Sequence, residues 1–153
     1  MRRAVVILPF LVSAAGAQDK GPATSAARVT AQLATGVILT PIGFFGSGWA
    51  AKRLAQRAGW SDERARRAAY VSAVVGGAAA TAAGPALVGE GGRYGAAFVG
   101  AGAGIGAAAL VARLGNRLYD GAERCGPLCW ALGAVTIALP SIGATVAYQA
   151  SRP

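Results

Sequence analysis

Residues 94–112 read YGAAFVGAGAGIGAAALVA, 19 positions without a charge between Arg93 and Arg113. Wound as an α-helix at 1.5 Å per residue, this stretch is about 28 Å long, close to the roughly 30 Å hydrocarbon core of a bilayer. A surface helix of a soluble protein carries a polar face, and this one has none. The pattern repeats along the chain. Uncharged stretches of 23, 22 and 27 residues lie between Arg28 and Lys52, between Arg67 and Glu90, and between Arg124 and Arg152. Four such stretches in series predict an all-α fold, a four-helix transmembrane bundle with up-down connectivity and spans of about 29–51, 68–88, 94–112 and 128–150.

Composition agrees. Of 153 residues, 54% are hydrophobic and 14% charged, against roughly 25% charged in ordinary soluble domains. The length suits one domain. A transmembrane β-barrel needs segments of about ten residues that alternate polar and apolar; residues 96–112 show no such alternation.

The N-terminus reads as an export signal. Arg2 and Arg3 precede an apolar run from Ala4 to Val12, and Ala15-Gly16-Ala17 matches a small-x-small cleavage site. Residues 1–17 are therefore expected to be a cleavable signal peptide. Residues 18–28, small and polar with Gly21-Pro22, are expected to form a flexible external tail ahead of a membrane domain over 29–153.

Turn chemistry separates the spans. Gly59 suits a helix C-terminus, Trp60 a membrane interface, and Ser61 an N-cap followed by Asp62 and Glu63 in the first turn. Glu90-Gly91-Gly92-Arg93 makes a second turn. Gly115-Asn116 and Asp120-Gly121 mark a longer loop, and Gly126-Pro127 a helix start.

Export of residue 18 onward places the Gly59 turn in the cytoplasm, the Gly91 turn outside and the Asn116 loop in the cytoplasm. The cytoplasmic segments would then hold Lys52, Arg53, Arg57, Arg64, Arg66, Arg67, Arg113, Arg117 and Arg124. The external ones would hold Lys20, Arg28, Arg93 and Arg152. That excess of Lys and Arg on the cytoplasmic side agrees with the positive-inside tendency. The net charge of +9 thus orients the chain, and no nucleic-acid partner is expected. Thirteen of the 15 basic residues are Arg, as in GC-rich genomes, so the expected location is a bacterial inner (cytoplasmic) membrane with the mature N-terminus external.

In lipid, helices associate through close backbone approach, which favours small residues at interfaces. Ala73, Gly76, Gly77, Ala80 and Gly84 share a face of the second span. Ala96, Gly100, Gly104 and Ala108 share one on the third, with Tyr94, Phe98 and Ile105 nearly opposite. The short turn between these spans predicts that the two small faces meet. Pro41, Pro85 and Pro140 fall in or near spans, where Thr40 and Ser141 offer hydroxyls to carbonyls freed by proline. Through Gly100-x3-Gly104 and the overlapping Gly102-x3-Gly106, the two middle spans resemble the glycine-zipper class of small bacterial membrane proteins. The resemblance implies tight helix packing, sometimes with self-association, and no catalytic residue.

There is no His, and no Asp, Glu, Lys or Arg lies inside a predicted span. Proton and ion pathways normally show such a residue, and Ser nucleophiles need a base. Beyond Asp19, the acids Asp62, Glu63, Glu90, Asp120 and Glu123 sit at helix starts and loops. No enzyme, cofactor or metal site is expected. Cys125 and Cys129 share a helical face but have too few companions for a metal. They read as free thiols at a membrane boundary, or as a disulfide, which would need an oxidising compartment and would argue against this orientation.

The expected partners are the lipid bilayer and, through the small faces, the chain itself or other membrane proteins. A structural or accessory subunit of an envelope complex fits best. The alternative is a pore- or holin-like passive channel. It would need a common path for polar residues such as Gln32, Thr35, Thr40, Ser72, Thr81, Thr136 and Thr145, which share no evident face in the sequence.

Overall fold

The computed structural model describes residues 22–119 and 126–153. The signal-peptide reading of residues 1–17, Cys125 and Asp120-Gly121 lie outside them. The described residues form four helices and no strand: α1 (Pro22–Arg57), α2 (Asp62–Val88), α3 (Tyr94–Tyr119) and α4 (Pro127–Ala150). Each contains a segment long and apolar enough to cross a membrane: Ala26–Arg57, Asp62–Val88, Tyr94–Asn116 and Cys129–Ala150.

Two boundaries differ from the sequence expectation. Residues 22–28, read as part of a flexible tail, are the first turns of α1. Proline is preorganised for the first helical position, and the Ala-rich segment after Pro22 has high helix propensity. Helix α3 runs past Arg113 to Tyr119, because Gly115 and Asn116 are tolerated inside a helix when a neighbour packs on it. Leu132 of α4 stands beside Gly115.

The α1–α2 turn follows its sequence signals closely. The Gly59 N–H donates to the Gln56 carbonyl at 3.1 Å and the Trp60 N–H to the Ala55 carbonyl at 3.0 Å. This is the paired bonding of a Schellman cap. It requires a left-handed residue, supplied by Gly59 at φ +75°. Ser61 is the residue before α2, and its carbonyl accepts from the Ala65 N–H at 2.9 Å. Its side chain makes no capping bond; Asp62 and Glu63 in the first turn answer the helix dipole instead.

Large side chains point out and small ones point in. Ile42, Phe45, Leu87, Val99, Trp130 and Val146 are exposed, whereas Ala65, Ala82, Ala97, Ala101 and Ala144 have no exposed surface. A soluble protein would place its large apolar side chains in the core. In lipid the large side chains are already solvated, and dispersion between closely spaced backbones drives association.

The strongest packing is within sequential pairs, α1 with α2 and α3 with α4. Helices α2 and α4 meet across the centre, leaving α1 and α3 at the outer corners. This corrects the expectation that the small faces of the second and third spans meet. Gly76 packs on Gly43 and Ser47 of α1, Gly77 on Phe44, and Gly84 on Gly36. Ala73 is buried against Gly48. Gly100 and Gly104 of α3 instead face Gly143, Ala147, Leu139 and Pro140 of α4. Ala97, Ala101 and Ala144 join Ala78, Ala82 and Tyr148 in the core, and Phe98 and Ile105, expected on the far side, pack against it. The physical reason is that α3 has two neighbours. Its glycines admit the α4 backbone, and the alanines beside them turn toward α2.

Candidate functional site

The polar residues of the interior fall into one column, although they lie on three helices. On α4, Ser141, Thr145 and Gln149 are spaced by four residues, as are Gln32, Gly36 and Thr40 on α1. The helices are antiparallel, so the two series run alongside each other. At one end, Gln149 Nε2 donates to Gln32 Oε1 at 2.7 Å. In the middle, Gly36 touches Ser141 and Gly84. Further down, the Thr40 and Thr81 hydroxyls lie 2.6 Å apart, each also within bonding distance of a carbonyl on its own helix, Gly36 and Gly77. At the far end, Ser47 Oγ lies 2.6 Å from the Gly43 carbonyl and 2.7 Å from the Ser72 carbonyl of α2.

Gln32, Thr40, Thr81 and Thr145 thus come together, whereas the sequence showed no common face for them. Thr35 is buried and bonds back to the Ala31 carbonyl. Thr136 bonds the Leu132 carbonyl of its own helix. It lines a groove of about 390 Å³ between α3 and α4, together with Val111, Gly115, Asn116 and Cys129.

The column is closed and only partly satisfied. A Cβ on Gly84 would lie 2.6 Å from the Gly36 nitrogen, so no water path passes between those backbones. Yet Gln32 Nε2, Ser141 Oγ and Thr145 Oγ1 are buried without a hydrogen-bond partner. Ser141, expected to serve the carbonyl freed by Pro140, bonds nothing. The Gln32–Gln149 bond is the polar tie between α1 and α4. Interhelical bonds in membranes contribute about 0.6–2 kcal/mol. A Gln32→Leu/Gln149→Leu double-mutant cycle, read by thermal unfolding in mild detergent, is expected to return a coupling energy of that size.

The column opens onto a polar corner where α1, the α2–α3 turn and the end of α4 meet. Tyr148 is buried there, and Gly89 and Gly92 lie so close to its ring that a Cβ on either would come within 2.6 Å of Cε1. Ser151 fastens the turn: its Oγ accepts from the Arg93 N–H at 2.8 Å and reaches the Tyr148 carbonyl at 2.8 Å. The Arg152 guanidinium carbon lies 5.8 Å from the Tyr148 ring centre, and its Nε and Nη2 are buried without a partner.

The opposite end of the bundle is basic and aromatic. Lys52, Arg53, Arg57, Arg64, Arg66 and Arg67 flank Trp49 and Trp60. Arg53 stacks over Trp49 at 5.5 Å, and Arg67 pairs with Glu63 one turn away. Of the two readings left open for the cysteines, the structure has Cys129 in a disulfide; Cys125 lies outside the described residues.

No family model matches this chain, and no match was found among curated proteins or solved structures.

Proposed function

We propose that this membrane protein is a non-catalytic structural or accessory subunit of a bacterial envelope complex, associating with itself or with other membrane helices. The observation that carries the reading is the division of labour on α3. Gly100 and Gly104 are filled by the α4 backbone, whereas a Cβ on Gly95, Gly102 or Gly106 would meet nothing within 4 Å. The second of the two overlapping Gly-x3-Gly tracks is therefore free for a neighbouring helix, in keeping with the glycine-zipper resemblance. In mild detergent the wild type should purify as an assembly larger than one chain. Gly106→Leu should release it without loss of helicity. A wild type that purifies alone and monomeric defeats the proposal.

The second reading is a pore-like passive channel, favoured by the unpartnered polar atoms of Gln32, Ser141 and Thr145. Opening would require α1 and α4 to part along the column. Solute leakage from liposomes bearing the pure protein, reduced by Thr81→Leu, would favour this reading over the first.

The orientation proposed is an inner-membrane protein with the mature N-terminus external. Charge asymmetry supports it, and the Cys129 disulfide pulls the other way, since disulfides form in oxidising compartments. Single cysteines at the two exposed turns decide between them. In a Cys125→Ser, Cys129→Ser background, Glu90→Cys should react with an impermeant maleimide in intact cells, and Ser61→Cys should be protected. The reverse pattern overturns the orientation.

A further inference from the structure

Arg152 stands two residues beyond the apolar segment Cys129–Ala150, at the depth where a bilayer changes from hydrocarbon to headgroups. Its unpartnered atoms are Nε and Nη2, the two donors along one edge of the guanidinium. Two parallel N–H groups match two oxygens of a single oxyanion. A buried charged donor without a partner carries a large desolvation penalty, so the fork is set for a ligand that the protein does not itself provide. Glu90, the carboxylate of the adjacent turn, makes an interaction of its own, and neither Nε nor Nη2 bonds it.

Three further features point to an anion. Gln32, with no exposed surface, leaves its Nε2 unpartnered beside the same Tyr148 ring. The Arg93 backbone is held on Ser151 Oγ, so a second basic residue sits on the adjoining turn. Arg28 lies one turn before Gln32 on α1. Exposed apolar side chains lie within two turns of the corner along the helices that enter it: Leu87 and Val146 are 73% and 62% exposed. Donors at the membrane boundary with lipid-facing apolar side chains on the same helices suit a headgroup with its acyl chains.

We propose that this corner binds the phosphodiester of one anionic phospholipid, with Arg152 Nε and Nη2 donating to two phosphate oxygens. The bound phosphate would join the end of α4 to the α2–α3 turn across the Tyr148 ring.

Native mass spectrometry of the delipidated protein in mild detergent tests this with three probes: phosphatidylglycerol, phosphatidylcholine and inorganic phosphate. The wild type should hold one phosphatidylglycerol, and Arg152→Gln should hold it roughly tenfold or more weakly, the loss expected for a charge-assisted pair. Arg152→Lys, which keeps the charge without the fork, should fall between them. Equal retention by wild type and Arg152→Gln, both with native helicity, overturns the site. Inorganic phosphate that displaces the lipid at millimolar concentration, or phosphatidylcholine binding as tightly, overturns the assignment to an anionic lipid. If Arg152→Gln does not fold, the wild-type ranking of the three probes and the Arg152→Lys variant still decide the outcome.

Discussion

A leucine at position 104 is expected to separate α3 from α4. Gly104 is buried in the bundle, and a Cβ there would lie 2.7 Å from the Pro140 Cα and 2.8 Å from the Leu139 carbonyl carbon. These are backbone atoms of a helix and cannot rotate aside, so the whole of α4 must move. Overpacking of a fitted interior costs about 1–3 kcal/mol and sometimes more, and here the gap also strips neighbouring contacts such as Gly100 on Gly143. Gly104→Leu should therefore lower the thermal midpoint in mild detergent by many degrees, or abolish folding. Gly104→Ala should fall short of that but remain clearly destabilised. Gly46→Ala, on α1 with open space at its Cβ position, is the control and should leave the midpoint unchanged. Equal midpoints for Gly104→Leu and wild type would disprove the α3–α4 packing described above.

The second large effect is expected at Gly84, where one contact gives two different answers. A Cβ on Gly84 would lie 2.6 Å from the Gly36 nitrogen and 2.8 Å from its Cα. A Cβ on Gly36, across the same interface, meets Ser141 Oγ at 2.9 Å and Ser141 Cβ at 3.1 Å, which needs a shift of a few tenths of an ångström, and no backbone atom nearer than 3.5 Å. A hydroxyl that bonds nothing can turn away; a backbone cannot. Gly84→Ala should thus destabilise by about 1–3 kcal/mol and Gly36→Ala by much less, measured by the loss of helical circular dichroism on heating. Gly77→Ala, whose added carbon would meet Phe44 at an ordinary 3.4 Å, should be nearly neutral. The reverse ranking of Gly84 and Gly36 would refute the assignment of which side of the contact is rigid.

These contrasts show where sequence reading ends. The four helices were legible because charge is excluded from a bilayer core, so the gaps between Arg28 and Lys52 and their successors mark the spans directly. The Gly59 turn was legible because a left-handed cap has a strong residue preference. Helix pairing was not. Gly100 and Gly102 are the same residue in the same apolar setting, and only the position of α4 makes one a contact and the other a lipid-facing gap. Periodicity shows that a face is small without showing what meets it. The polar corner was hidden for a related reason: Gln32 and Gln149 are 117 residues apart, and Arg152 looked like one more flanking charge. The two unpartnered donors that make it notable exist only once Tyr148 and the α2–α3 turn have closed around it.

The unequal packing of the bundle also bears on how the molecule is made. Each sequential pair, α1 with α2 and α3 with α4, is held by its own backbone-to-backbone glycine contacts, and no single helix–helix contact between the pairs is as extensive as either. A chain emerging from the ribosome can therefore complete one hairpin in the bilayer before the next is synthesised. Biogenesis then reduces to two insertions followed by one lateral docking, most extensively of α2 on α3. That docking forms the Gln32–Gln149 hydrogen bond between α1 and α4, an interhelical bond that a half-assembled intermediate lacks.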